Sequence, residues 1–140
     1  MRINHVGRIV LFLGVLVFAL ACTPTRQYAI QGADRAAGAD VHVNIERQET
    51  GNWMVTLDVN NLLPPDRLSE GLTTYAVWFQ AADATPSRAG NLVYNADDRT
   101  GEMTATTSHQ AFQIILTGEE DAAAAAPSEN VIIRTAVESP

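Results

Sequence analysis

Apolar and polar residues alternate with a period of two over much of this chain, the pattern of β-strands with one face buried. Val41, Val43 and Ile45 alternate with His42, Asn44 and Glu46. Glu49-Thr50-Gly51-Asn52 then supplies a hairpin turn, and Trp53, Val55, Leu57 and Val59 alternate with Met54, Thr56, Asp58 and Asn60 on the return. Leu62-Leu63-Pro64-Pro65 ends that strand, because proline cannot donate to a β-ladder. Residues 73–81 (TTYAVWFQA) are nearly all apolar, as expected of a central strand covered on both faces. A Pro/Ser/Gly stretch at 84–90 predicts a loop, followed by a strand at 91–95, a turn at 97–101 and a threonine-rich strand at 102–107. Phe112, Ile114 and Leu116 alternate with Gln113, Ile115 and Thr117, and residues 131–137 predict a closing strand. Between these two, residues 118–128 carry Glu119-Glu120-Asp121 and a run of five alanines. That run is too short for a stable isolated helix, so a flexible loop is expected.

Seven or eight short strands with turn signals every ~8–12 residues predict an all-β fold. The spacing favours an immunoglobulin-like antiparallel β-sandwich over residues 39–140. Residues 22–38, rich in small and turn-forming side chains, are expected to act as a tether, with a short edge strand around Tyr28-Ala29-Ile30.

The first 21 residues follow another pattern. Arg2 and Arg8 flank a short polar start, and Ile9 to Ala21 is uncharged and apolar. At ~1.5 Å rise per residue this run covers about 20 Å as a helix, short of the ~30 Å hydrocarbon core of a bilayer. The order of positive, apolar and small-residue regions is that of a secretory signal peptide over 1–21. What remains after its removal suffices for one domain with one core.

Composition adds a constraint on partners. All nine basic residues are arginine, and Arg2 and Arg8 fall in the signal; the rest of the chain therefore sets seven arginines against 16 acidic residues, a formal −9. Such a surface repels phosphates, so nucleic acid is not expected as a partner. The chain has a single cysteine, which excludes an internal disulfide.

That cysteine closes the apolar run. Phe18-Ala19-Leu20-Ala21-Cys22 resembles the lipobox of bacterial lipoprotein precursors. The resemblance implies that the Cys22 thiol takes a diacylglyceryl group. It also implies cleavage between Ala21 and Cys22, acylation of the new N-terminus, and no other cofactor. The membrane, reached through this anchor, is then the first partner. Thr23, as a residue other than aspartate, implies onward sorting to an outer membrane or cell surface on the extracytoplasmic side.

A second resemblance covers about half of the remaining chain. Tyr75 and Trp78 in a Tyr-x-x-Trp strand, Gly90-Asn91-Leu92, the apolar strand from Phe112 to Glu119, and Pro127-Ser128 before a closing apolar strand are arranged together in one pattern. It resembles the extracytoplasmic domain of the anti-sigma-K factor family. That family carries a sigma-binding region and a full transmembrane helix ahead of the domain, neither of which is found before Tyr75 here. The resemblance therefore implies the fold and not control of a sigma factor. Asn61-Leu62-Leu63-Pro64-Pro65 is similar to an element of other envelope lipoproteins with sandwiches of this kind.

Candidate chemistry is sparse. There is no Gly-x-Ser-x-Gly elbow and no phosphate-cradling glycine loop. After processing, two histidines remain: His42 on the polar face of its strand and His109 in a turn. Neither has metal ligands at recognisable spacing, and a hydrolase would need one of them beside a carboxylate and a hydroxyl. Asp97-Asp98 and Glu119-Glu120-Asp121 offer oxygen atoms to calcium, without the alternation of a calcium-binding hand. No catalytic residue and no metal site are assigned. Trp53 and Trp78 are candidates for a recognition surface, weighed against the core positions that tryptophan usually takes in such sandwiches. The expected role is a lipid-anchored, non-enzymatic interaction module for an envelope protein partner. The alternative is a small-ligand or calcium-binding protein that uses the sandwich loops.

Overall fold

In the computed structural model, which describes residues 23–140, the alternating segments pair into two antiparallel sheets. The strands are β1 (Thr25–Gln31), β2 (Asp40–Arg47), β3 (Trp53–Asn60), β4 (Thr74–Gln80), β5 (Ser87–Asn91), β6 (Val93–Asn95), β7 (Thr100–Thr107), β8 (Ala111–Glu119) and β9 (Val131–Glu138). One sheet runs β1-β2-β3-β7-β6 and the other β5-β4-β8-β9. A short helix, α1 (Pro65–Leu68), lies on the crossover between them. The expected all-β sandwich is found, with nine strands among the described residues rather than seven or eight. No helix among the described residues is long and apolar enough to cross a membrane. Ala21 and Cys22 lie outside the described residues.

Period-two alternation sends Val41, Val43 and Ile45 of β2 and Val55, Leu57 and Val59 of β3 inward. From the other sheet they meet Val77 and Phe79 of β4 and Ile114 and Leu116 of β8, all buried. Each such aliphatic side chain contributes about 1.5–3 kcal/mol by leaving water. Phe79 and Phe112 pack edge to face at 5.1 Å.

Three segments depart from the expected pattern. Within the stretch expected as a tether, the short edge strand around Tyr28-Ala29-Ile30 is longer than expected: β1 pairs with β2 over its full length, from Thr25 opposite Glu46 to Gln31 opposite Asp40. Only Tyr28 and Ile30 turn toward the core, so the strand's alternation is faint in sequence. The Tyr28 hydroxyl donates to the Glu138 carbonyl and accepts from the Glu138 amide, both at 2.9 Å, and so ties β1 to β9. The loop expected at 84–90 is largely β5, and the strand expected at 91–95 is broken at Leu92. There the Leu92 amide still bonds Tyr75 of one sheet, while Val93 already pairs with Glu102 of the other. The chain changes sheets at this residue. Finally, residues 119–131 fold back over the outer face of β4 and β8.

The crossover after β3 is fixed by two tyrosines. Tyr75 and Tyr94 pack edge to face at 5.5 Å across the sheets. The Tyr75 hydroxyl donates to the Leu63 carbonyl at 2.5 Å and that of Tyr94 to Leu62 at 2.8 Å. These carbonyls precede Pro64 and Pro65, which bring no N–H of their own. Burial pushes both phenols above their usual range, reinforced for Tyr75 by Tyr94 and Asp66. A raised phenol favours the neutral form in the folded state. The associated stability is fully present below pH 10, the ordinary tyrosine value, and is lost as pH rises beyond it. Unfolding in urea from neutral pH to pH 11 is expected to show this decline, and Tyr75→Phe to reduce its slope. At neutral pH the same variant costs about 1–2 kcal/mol, because the Leu63 carbonyl loses its donor.

Candidate functional site

The register assigns every loop to one of two ends. Thr25 begins β1 beside Glu46, so the β2–β3 hairpin, the β7–β8 turn around His109, the β4–β5 loop and the segment after Glu138 share its end. We term this the base. At the opposite end lie the turn after β1, the crossover with α1, the β6–β7 turn and the β8–β9 loop.

The opposite end holds an open groove of about 380 Å³. Its walls come from the 3-10 turn Asp34–Ala36, from Leu68 at the end of α1 and Ser69 after it, and from Glu129–Val131 entering β9. Asp34 takes a φ of +48°, unusual for a residue with a side chain. The turn is tight because a Cβ on Gly32 would collide with the Ala36 carbonyl oxygen. Arg35 donates to the Leu68 carbonyl at 3.4 Å, and the Ala33 amide bonds Ile132. The groove thus presents carboxylates and one guanidinium on a backbone held from both sheets. Sequence reading missed it because its residues come from three distant segments, none carrying a motif.

The second constellation is buried. Trp78 has no exposed surface and Trp53 is 3 % exposed, so neither indole offers a recognition surface. Trp53 faces the inter-sheet core at the base, with Arg47 stacked over it at 5.3 Å. Trp78 points the other way, onto the outer face of its sheet, where it packs with Ala76 and Ile115 beneath Ala124 and Val131. Its Nε1–H donates to the Thr117 hydroxyl at 2.8 Å, and that hydroxyl donates to Glu119 Oε1 at 2.5 Å. The same carboxylate oxygen accepts the Ser128 amide at 2.9 Å, and Ser128 Oγ donates to the Gly118 carbonyl at 2.7 Å. Arg88 lies over the Trp78 ring at 5.4 Å and donates to the Ala122 and Ala124 carbonyls and to Asn91. Glu119, 4 % exposed, is therefore a buried anchor and not part of a solvated acidic loop.

The remaining candidates are scattered. His42 lies exposed at the middle of the five-stranded sheet's outer face, in a cross-strand row with Asp58 and Glu102, whereas His109 lies at the base. Asp97 and Asp98 sit in the β6–β7 turn, where Asn95 accepts both of their amides and donates to the Asp98 carboxylate. Asp121 accepts the Ala123 amide. Among the described residues, no three His, Cys, Asp or Glu side chains are grouped to hold a metal ion. Comparison with protein-family models, with curated proteins and with solved structures found no match.

Proposed function

We propose that this chain is a lipid-anchored protein of the bacterial cell envelope whose sandwich serves as a non-enzymatic interaction module on the extracytoplasmic side. The observation that carries this reading is the single cysteine, placed directly after an apolar signal run and a small residue. Diacylglyceryl and N-acyl groups on Cys22 would hold the domain stably, since more than one chain is needed for lasting attachment. The module is of the immunoglobulin-like kind. Supporting this, β2-β3-β7-β6 and β5-β4-β8-β9 follow the order A-B-E-D and C′-C-F-G of such sandwiches, with β1 added at an edge. Trp78, on the strand in the C position, departs from the family habit by facing outward under the 119–131 segment.

Intact-mass measurement of the membrane fraction is expected to show a chain beginning at Cys22 with the acyl groups attached. A mature chain without lipid, or one retaining residues 1–21, overturns the anchor. Cross-linking in the native envelope, followed by mass spectrometry, then tests the module: a reproducible protein neighbour is expected. A bound small molecule with no such neighbour favours the alternative, ligand binding at the loops. The groove of about 380 Å³ is the feature that supports this second reading, being within the size range of ligand pockets.

A further inference from the structure

We infer that the sandwich stands on the membrane surface by its base, with the β2–β3 hairpin against the lipid headgroups and the groove end turned away. The inference rests on the Cys22 reading above and deepens it from attachment to orientation. Only Thr23 and Pro24 separate Cys22 from the first residue of β1. Three residue steps at full extension span at most about 11 Å. Strand β1 leaves that link pointing from base to far end, so the link continues outward from the base.

Lengths decide between orientations. Thr50 is four residues past Glu46, the partner of Thr25, and because the turn folds back there the hairpin tip stands about three strand steps, or roughly 10 Å, beyond that pair. The tip therefore reaches about as far toward the lipid as the link does. To invert the domain, the link would have to run the length of β1, whose seven residues span about 23 Å. It is too short by half.

Charge favours the same pose. Asp66, Glu70, Asp97, Asp98, Glu120 and Asp121 are all exposed and all at the far end. Arg35, Arg67 and Arg99 lie among them and offset only part of that charge, whereas at the base exposed Arg26 and Arg47 stand beside Glu49, Asp83 and Glu138, so the base is the less negative end. Headgroup phosphates therefore repel the far end more strongly than the base. With the base down, the acidic end stands more than 20 Å off the surface, beyond two Debye lengths of about 8–10 Å at physiological salt.

The test uses the full, lipidated chain in vesicles of phosphatidylethanolamine and phosphatidylglycerol carrying a headgroup-level quencher. A fluorophore is placed on Thr50→Cys at the hairpin tip, on Ala29→Cys along the outer edge, or on Asp98→Cys at the far end. Loss of most emission at 50 and of little at 29 and 98 is expected. Equal quenching at all three, or stronger quenching at 29 or 98, overturns the orientation. Inserting about 12 Gly/Ser residues between Pro24 and Thr25 should bring quenching at 50 down to the level at 98 while the vesicles retain the protein. Quenching at 50 that survives the insertion overturns the short link as the cause. The mass of each preparation separates the two readings: a chain without acyl groups defeats the anchor, whereas an acylated chain without site-dependent quenching defeats the orientation alone.

Discussion

Trp78→Ala is expected to lower the unfolding free energy by about 3–5 kcal/mol, the range for truncating a buried aromatic side chain. For a domain of this size that moves the thermal midpoint down by roughly 10–20 °C. The size of the effect follows from what the indole supports. It fills the outer face of β4, provides the surface on which Ala124 and Val131 pack, lies under Arg88, and satisfies Thr117. Without it, Thr117 and Glu119 face a cavity, and the 119–131 segment loses its floor. Hydrogen exchange in that segment should accelerate more than in β2 or β3. Trp78→Phe keeps most of the apolar contact and loses the N–H, so about 1–2 kcal/mol is expected from the hydrogen bond and the smaller ring. Val93→Ala, at a side chain 79 % exposed, should stay within about 0.5 kcal/mol and serves as the control. Urea denaturation of the three variants checks all of this. A Trp78→Ala cost below 1 kcal/mol would mean that the segment does not cover β4 as described.

Cys22→Ser has the largest expected effect on location. Serine keeps the size of the side chain but replaces the nucleophilic thiol, so no thioether to a diacylglyceryl group forms. Each buried methylene of an acyl chain contributes about 0.8 kcal/mol, and removing whole chains abolishes stable attachment. In detergent phase separation the variant should move from the detergent to the aqueous phase, with its urea midpoint unchanged, since the sandwich begins at Thr25. A variant that stays with the detergent while lacking both acyl mass and residues 1–21 would falsify the anchor as the basis of attachment.

How much of this was legible in the sequence depends on how each residue is buried. β2, β3 and β8 could be read directly, because one face of each lies on the inter-sheet core and the alternation reports it. β1 could be read only in part: as an edge strand with two inward positions, it looks like a linker unless its pairing with β2 is known. The sheet change at Leu92 leaves no mark, since an alternating strand looks the same whichever sheet it joins. Glu119 misled for a different reason. Next to Glu120 and Asp121 it reads as part of a solvated acidic run, yet by parity it continues the outer-face row Ile115-Thr117. Only the cover supplied by the 119–131 segment makes that row an interior. The groove lay beyond sequence reading altogether, since a turn, a helix end and a strand start meet there only in three dimensions.

The bond between Tyr28 and Glu138 has a mechanical consequence. If the domain is anchored through Cys22 as proposed, a pull on its far end works against the lipid, and the load enters at Thr25, parallel to β1. Seven residues of ladder with β2, together with the Tyr28 bridge to β9, then resist sliding at once. That is shear loading, in which the hydrogen bonds share the force, and not peeling, in which they fail one at a time. Entering at an edge strand along its own axis, the load meets the sandwich in the direction in which it yields least.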